Sequence, residues 1–483
     1  MSRIQLTILT IATIIPSLQG FAQNSNCDCK SNFEWVKATF EESDAGFRYI
    51  LDKKGQAAYD IHNQLIEEKV KAVENRYECA NIINDWLHFF RKSHIGFSVI
   101  SDENAGKLPG TEQDWETFPV DTAEFKKYLE NKQSAGYEGI FVDDNYQIGI
   151  KKEGGEYIGF IIESKNENWK KEEVKLKIIP GAGGTKSIYY MGNKSKIEGN
   201  DAVELWENSV LRIGNYIFNR TFPETTENQQ IKDYIRSINA QEPFLEKIDE
   251  NTLYFRVPSF MIQNKPLIDD VLFKNRDRIL NTENLIIDIR NNGGGSDGCY
   301  GNIIPFLYTS PIRKVVVEFL STKLTNQKWL EYSQDTTLEL RDRKIMKERY
   351  ELFEKHLGEF VNPWGNKSWT NQLAVVHPYP KNVGIIINGG VASASEEFLM
   401  EAKQSFKVKL FGTNTMGALD VSNVMSAKSP GNDFELYYTS SKSFRLPGFS
   451  VDDTGIQPDF LIDNEIPDYQ WLDYVKKILD LNQ

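Results

Sequence analysis

Apolar runs and amphipathic segments alternate along the C-terminal half of the chain, and this alternation restricts the fold more than any other feature of the sequence. Residues 285–289 (Leu-Ile-Ile-Asp-Ile) and 384–387 (Gly-Ile-Ile-Ile) are almost continuously apolar. Such runs are typical of strands buried on both faces of a parallel sheet. The pattern predicts an α/β domain. The predicted strands are residues 252–257, 285–289, 384–387 and 408–411, and the predicted helices are residues 268–280 and 394–404.

Other parts of the chain follow different patterns. Apolar residues recur at helical spacing between residues 33 and 95, whereas residues 137–179 alternate apolar and polar side chains between Gly and Asp turns. We expect a charged helix at residues 340–356 to be an insertion over the sheet. The predicted segments are a signal peptide at 1–22, an N-terminal helical region at 23–104, a β-rich middle domain at 105–245, the α/β core at 246–466 and a C-terminal helix at 467–483.

The first residues have the features of an export signal. Arg3 supplies a positive charge, and residues 6–18 form an apolar segment that is too short to span a bilayer. Gly20 and Ala22 place small residues where a signal peptide is cleaved. We expect cleavage after Ala22, no membrane span in the mature chain, and an extracytoplasmic location that is periplasmic or secreted. The alternatives are an uncleaved anchor or a buried strand.

The four cysteines are too few for a disulfide scaffold in a chain of 483 residues. Cys27 and Cys29 have no second Cys or His pair at zinc spacing. One of these two residues can form a bridge to Cys79, and Cys299 is expected to remain a free thiol.

The charge balance restricts the class of partner. The chain has 56 Lys and Arg residues against 69 Asp and Glu residues, so its formal net charge is −13. Because an acidic chain repels phosphate backbones, nucleic acid is not the expected ligand.

Two glycine-containing turns follow buried strands. The turn at residues 288–295 ends in three glycines, which let backbone N–H groups approach a ligand and so predict an oxyanion site. The turn at residues 387–396 places Ser393 at the start of a helix. The helix dipole and the free N–H groups there favour a nucleophile whose product is negatively charged. The alternative is that Ser393 or Ser395 only caps the helix, with help from Glu396.

A serine nucleophile also needs a base. Of the five histidines, His94 is favoured because it lies at the end of a predicted helix beside Ser93, where a side chain is both positioned and reachable. His62 and His88 lie inside amphipathic helices and are interpreted as surface or core residues. No histidine pair has the spacing of a helical metal site, so no metal ion is predicted.

Three motifs together resemble the tail-specific (C-terminal processing) serine peptidase family, to which the tricorn core peptidases belong. They are the turn at 288–295, the block Ser-Ala-Ser-Glu at 393–396 and the stretch Gly-Ile-Gln-Pro-Asp at 455–459. The resemblance covers about residues 245–465, together with Ser93-His94. It implies a crotonase-like (ClpP/crotonase) ββα peptidase core with a helical N-terminal part.

The family has two catalytic arrangements. One branch uses a lysine as the base, and that position is occupied by Ala418 here. The sequence therefore resembles the tricorn-like branch, which uses a Ser-His pair from the helical region and a late acidic residue.

The resemblance also implies roles for individual residues. Ser393 attacks the peptide carbonyl, and His94 transfers the proton to the leaving amine. Ser93 links toward Asp452, for which Asp453 is the alternative. The backbone N–H groups that hold the oxyanion belong to Gly294, Gly295 and Ala394. The expected function is that of an exported serine endopeptidase that acts on peptides or proteins without a cofactor.

Two other functions stay open. The same fold serves as a non-catalytic ligand-binding module in retinoid-binding members of the family, and fold alone does not determine function. Acyl-CoA chemistry is the second alternative because crotonases share the core. Export and the acidic charge argue against acyl-CoA, whereas Ser393, His94 and the glycine turns favour the peptidase.

Overall fold

The computed structural model describes residues 27–100, 115–132, 136–181, 184–199, 203–214, 216–463 and 465–481. The predicted signal peptide and its cleavage site lie outside the described residues. The chain divides into two compact units. Unit 1 consists of the residues up to Ile100, Leu320–Glu359 and Asn423–Ser440, and unit 2 of Ser101–Phe319, Phe360–Ser422 and Ser441–Gln483. None of the described helices combines the length and the apolar character needed to cross a membrane.

The helices and strands are numbered along the chain. The described helices are α1 (Cys29–Ser43), α2 (Phe47–Lys54), α3 (Gln56–Val70), α4 (Arg76–Leu87), α5 (Thr122–Glu130), α6 (Gln229–Ile238), α7 (Lys265–Ile279), α8 (Ile304–Leu307), α9 (Lys323–Gln334), α10 (Leu340–Phe353), α11 (Ala394–Ala402) and α12 (Trp471–Leu481). The described strands are β1 (Gly96–Val99), β2 (Gly139–Val142), β3 (Tyr146–Glu153), β4 (Glu156–Ser164), β5 (Val174–Gly181), β6 (Gly184–Tyr190), β7 (Lys196–Gly199), β8 (Val203–Trp206), β9 (Val210–Ile213), β10 (Tyr216–Phe222), β11 (Phe244–Lys247), β12 (Thr252–Arg256), β13 (Asn284–Asp288), β14 (Ile312–Val315), β15 (Val317–Leu320), β16 (Phe360–Val361), β17 (Ser368–Asn371), β18 (Asn382–Ile387), β19 (Val408–Gly412), β20 (Val421–Lys428), β21 (Phe434–Ser443) and β22 (Phe460–Leu461).

Unit 1 contains α1 to α4, and the helical pattern predicted for residues 33–95 is confirmed as far as Leu87. Residues 88–95 form a turn instead of the expected last helical turn. Aromatic rings fill its core. The ring centroid of Trp86 lies 5.5, 5.7 and 5.1 Å from three phenylalanine rings, those of Phe33, Phe40 and Phe90. Such edge-on ring contacts add to the apolar burial that holds these short helices together.

A disulfide links two helices of unit 1. It joins Cys29 of α1 to Cys79 of α4, and the two Cα atoms are 5.5 Å apart. Cys27 is a free thiol, so Cys29 is the residue that pairs. Cys299 of unit 2 is a buried free thiol, as predicted.

The charged helix predicted at residues 340–356 is present as α10, followed by the 3-10 turn Glu354–His356. It packs against α9. Both helices belong to unit 1, whereas the parallel sheet belongs to unit 2.

The first part of unit 2 is a nine-stranded antiparallel sheet in the order β7-β6-β5-β4-β3-β2-β10-β9-β8. Residues 137–179, predicted to form short antiparallel strands, supply β2 to β5. Apolar and aromatic side chains from one face of the sheet form a cluster that includes Phe141, Ile148, Leu176 and Phe218.

Lys175 is buried in this sheet. Its Nζ lies 4.0, 4.2 and 4.8 Å from the ring centroids of Tyr146, Trp169 and Tyr189. The amine donates a hydrogen bond of 2.5 Å to the carbonyl oxygen of Tyr190. Burial lowers the pKa of Lys175 from 10.5 to about 7, because the charged form is poorly solvated there.

The second part of unit 2 contains a six-stranded sheet in the order β11-β12-β13-β18-β19-β22. The β11 strand is antiparallel to β12, and the strands from β12 to β22 are parallel. The four strands predicted from the sequence correspond to β12, β13, β18 and β19, so the predicted α/β domain is confirmed.

Helices cover both faces of this sheet. Leu285 and Ile287 of β13 point into one core, which also holds residues of α7 and α11. Ile286 points to the opposite core, which holds residues of α12. Since both faces of the sheet are buried, polar side chains that could bind a ligand are expected at the ends of the strands. In such sheets ligands bind beyond the carboxyl ends of the strands.

Candidate active site

The carboxyl ends of four neighbouring parallel strands, β12, β13, β18 and β19, lie at one edge of the sheet. The segments that follow them contain the two predicted motifs and two further loops. These segments are Val257–Phe260, residues 289–296, residues 388–393 and residues 413–420.

Ser393 begins α11 in a strained backbone conformation. Its φ is 57° and its ψ is −122°, a region that residues with a side chain rarely occupy and that costs on the order of 1–3 kcal/mol. The capping residues Asn75 and Asp121, by contrast, have ordinary extended conformations with φ of −82° and −66°. A serine that only caps a helix has no need of this strain, which is more typical of a functional residue.

The Ser393 backbone is held by hydrogen bonds at both its N–H group and its carbonyl oxygen. Its N–H donates to the Ala418 carbonyl oxygen and to Glu396 Oε2, both at 3.1 Å. Its carbonyl oxygen accepts the N–H of Glu396 at 2.8 Å. The strained turn is therefore tied both to its own helix and to the loop after β19.

Two glycines of the first motif lie against neighbouring backbone. A Cβ on Gly294 would stand 2.9 Å from both Ser393 Cβ and Ala394 N, and φ there is +96°. A Cβ on Gly295 would stand 2.2 Å from the carbonyl oxygen of Phe260, with φ of +140°. Both positions need glycine, and the first motif packs directly onto the serine turn.

The three predicted oxyanion donors differ in their bonding. The Gly294 N–H donates to Asn292 Oδ1 at 3.1 Å, so this bond must break before Gly294 can serve a substrate. Within the described part of the chain, the N–H groups of Gly295 and Ala394 have no hydrogen-bond acceptor. These two amides are open in the sense that they lack an acceptor; Gly295 is exposed, whereas Ala394 is buried.

The Glu396 side chain, which the sequence suggested only as a helper in capping, organises the loop after β19. It is wholly buried and accepts hydrogen bonds from the hydroxyl of Thr415 and from the N–H groups of Gly417 and Ala418, as well as from Ser393. Burial raises the pKa of its carboxyl group. Only the spacing Ser-x-x-Glu signalled its position in the sequence.

The predicted acidic residue, Asp452, lies beside the same loop. Its carboxylate accepts the N–H groups of Leu419 and Asp420 at 2.6 Å and that of Val421 at 3.0 Å. Burial, followed by the negative charge of Asp420, raises the pKa of Asp452 to about 6. The alternative residue, Asp453, is exposed and has a positive φ of 69°.

Ser93 and His94 lie in unit 1, in the turn between α4 and β1. His94 is half-buried and has a positive φ of 60°. A buried ion pair anchors this turn: the Arg91 guanidinium contacts the Asp44 carboxylate at 2.5 and 2.8 Å, and its Nη2 reaches the carbonyl oxygen of His94 at 3.5 Å.

The structure thus brings together Ser393, Gly294, Gly295 and Ala394 in unit 2, and the loop that contacts Ser393 also contacts Asp452. Since His94 and Ser93 belong to the other unit, their pairing with Ser393 stays a prediction.

Comparisons with known proteins find a family whose model matches the core of unit 2. Residues 251–462 match the model of Peptidase family S41. A crystal structure of mature CPAF matches with 12% identity and a TM-score of 0.50, over 94% of this chain and 97% of that one. Mature CPAF complexed with lactacystin matches with 12% identity and a TM-score of 0.51, over 94% and 98%. At this identity these structures show the fold alone, and no curated protein sequence matches the chain.

Proposed function

Because residues 251–462 match the model of Peptidase family S41, we propose that the protein is a serine peptidase, a hydrolase. We propose further that it is an exported endopeptidase that forms an acyl-enzyme on Ser393 with His94 as the base. Its substrate is a peptide or a protein. The observation that carries the proposal is the strained Ser393 turn, which packs against Gly294 beside the open amides of Gly295 and Ala394.

The proposed reaction begins when Ser393 Oγ attacks the carbonyl carbon of the peptide bond. His94 takes the hydroxyl proton and returns it to the nitrogen of the leaving amine as the C–N bond breaks. The amides of Gly295 and Ala394 stabilise the negative oxygen of the tetrahedral intermediate, and one such donor contributes roughly 10²–10³ in rate. In the second half-reaction His94 takes a proton from water, the resulting hydroxide attacks the ester carbon, and His94 returns the proton to Ser393 Oγ as the ester bond breaks.

The residue at position 418 supports a histidine rather than a lysine base. Ala418 is buried, and its backbone is fully used, since its N–H donates to Glu396 and its carbonyl accepts from Ser393. Its methyl side chain cannot accept a proton and so cannot act as the base. A base from the helical region, with Ser93 and Asp452 orienting it, is the arrangement that we propose.

The six-stranded sheet covered by helices on both faces is compatible with a crotonase-like core, which we propose as its class. The apolar residues 6–18 support export. The Cys29–Cys79 disulfide also supports an extracytoplasmic location, periplasmic or secreted, because disulfides persist in oxidising compartments.

A fluorophosphonate probe tests the assignment of the nucleophile. We expect it to label the full chain, to fail on Ser393→Ala and to label His94→Ala at a strongly reduced rate. Ser395→Ala is the matched control, because that hydroxyl lies two residues further along the same helix and is buried. Its labelling should match that of the unaltered protein.

Labelling that survives both Ser393→Ala and His94→Ala contradicts the mechanism. Tight binding of a small apolar ligand, with neither labelling nor peptide cleavage, would instead support the alternative of a non-catalytic binding module on the same fold.

A further inference from the structure

Two aspartates, the buried Asp420 and the half-buried Asp452, exchange backbone hydrogen bonds beside the site. Asp420 Oδ2 accepts the N–H of Asp452 at 3.0 Å, and Asp452 Oδ1 accepts the N–H of Asp420 at 2.6 Å. Asp420 is wholly buried and also accepts the N–H of Val451. This exchange fixes two carboxylates close to each other in a poorly solvated place, where like charges repel strongly.

Arg445 compensates this pair and connects it to the helix of the nucleophile. Its Nε donates to Asp420 Oδ1 at 2.8 Å, and its Nη1 donates to Glu397 Oε2 at 3.0 Å. Glu397 lies on α11, four residues after Ser393. Arg445 is itself only 7% exposed, so it is dedicated to these two carboxylates rather than to solvent.

We propose that Arg445 is a positioning residue of the peptidase site, which neutralises Asp420 and thereby keeps the Asp452 carboxylate ionised and in place at neutral pH. The proposal rests on the proposed role of Asp452 as the acidic member of the site. Arg445 acts through Asp420 and does not contact the reacting atoms.

The charges around Asp452 give the direction of the effect. Asp420 faces it directly, and Arg445 lies behind Asp420. On α11, Glu397 shares Arg445 with Asp420, and Glu396 accepts the N–H groups of Gly417 and Ala418, just before the loop residues that bind Asp452. Lys314 and Asp297 act on Glu397 from its other side. Without Arg445, the negative charge of Asp420 acts on Asp452 uncompensated, so the pKa of Asp452 rises.

The test compares pH profiles of Ser393 labelling by the fluorophosphonate between pH 4.5 and 8. The acid limb reports the protonation of the base, His94, together with that of Asp452, whose pKa is about 6, so the readout is the shift of the limb between variants and not its position. Arg445→Met should move it up by about one pH unit or more. Asp420→Asn, which removes the repelling charge and keeps its shape, should move it down. Arg445→Lys should fall between the unaltered protein and Arg445→Met, since a lysine keeps the charge but not the two-armed contact.

Glu401→Gln is the matched control for a lost buried charge on the same helix. Glu401 binds Tyr300 and Lys314 instead of the aspartate pair. This variant should leave the acid limb where it is.

A second readout does not depend on activity. The difference in Tm between each protein and its Asp452→Asn derivative, followed over the same pH range, reports the ionisation of Asp452 by linkage. If Ser393 is not labelled at any pH, the proposed function fails, but the Tm difference still tests Arg445. The proposal is overturned if Arg445→Met loses activity or stability while neither the pH profile of labelling nor that of the Tm difference shifts. It is also overturned if either profile of Asp420→Asn shifts to higher pH.

Discussion

Replacing Lys175 with methionine should stabilise the protein at neutral pH. The side chain of Lys175 is completely buried, and its amine has three aromatic rings and one carbonyl oxygen around it. Methionine has a similar length and shape and carries no charge. The substitution therefore removes the cost of burying an ammonium group and keeps most of the packing.

The magnitude follows from the lowered pKa. A fall from 10.5 to about 7 corresponds to about 5 kcal/mol of unfavourable charge burial when the amine is protonated. This figure already includes every contact of the ammonium group, but methionine cannot replace the hydrogen bond to the carbonyl oxygen of Tyr190, whose loss costs about 1–3 kcal/mol. We therefore expect Lys175→Met to raise the free energy of unfolding by about 2–4 kcal/mol at pH 7 and below.

The sign of the pH dependence is specific. In the unfolded chain the lysine stays protonated up to its ordinary pKa of 10.5, whereas in the folded chain it loses its proton near pH 7. The unfolded state thus binds more protons between these values, so the stability of the unaltered protein rises with pH across this window. The advantage of Lys175→Met should shrink through the same window and vanish above it.

Denaturant unfolding of the unaltered and substituted proteins at pH 7, 8.5 and 10 measures this effect. Lys186→Met, an exposed lysine on the neighbouring strand β6, is the control and should change stability little at any pH. The reasoning is refuted if Lys175→Met is less stable than the unaltered protein at pH 7, or if its gain in the free energy of unfolding is the same at pH 7 and pH 10. Either result would show that the buried amine does not destabilise the protein.

Three further substitutions test other features. Ser395→Ala should raise the free energy of unfolding by up to about 1 kcal/mol, and with it the Tm, because the buried Ser395 hydroxyl has no partner among the described residues. A lower Tm would contradict this. Gly294→Ala should reduce phosphonate labelling at least about 100-fold while the protein remains folded by circular dichroism, since the added Cβ would meet the Ser393 turn. Cys29→Ser should cost roughly 2–4 kcal/mol in denaturant unfolding, because the bridge spans 50 residues, whereas Cys27→Ser should cost little; equal losses would refute the pairing.

The predictable parts of the fold are those with a local signal. The apolar run of β13 specified a doubly buried strand, and the α11 segment combined a helix start with helical periodicity. The position of Ser393 at the start of a helix was also predictable, but its role as the nucleophile was not separable from helix capping on local grounds and followed only from the resemblance of three motifs to a peptidase family. In each case the residues that determine the conformation are within about ten positions of one another.

The unpredictable parts depend on residues far apart in sequence. Arg445 and Asp420 are 25 positions apart with no repeating pattern between them, so their contact follows only from the folded loops. The occupation of the Gly294 N–H by Asn292 depends on a single turn geometry. Cys29 pairs, and Cys27 does not, because α1 presents one of two neighbouring thiols to α4.

The close approach of Gly294 to Ser393 gives a simple criterion for classifying homologous sequences. Any homologue that carries a side chain at the position matching Gly294 must rebuild the turn that presents its hydroxyl, however intact the rest of its motif looks. On the proposed mechanism such chains should lack peptidase activity, and the codon for this one glycine would identify them from the gene sequence.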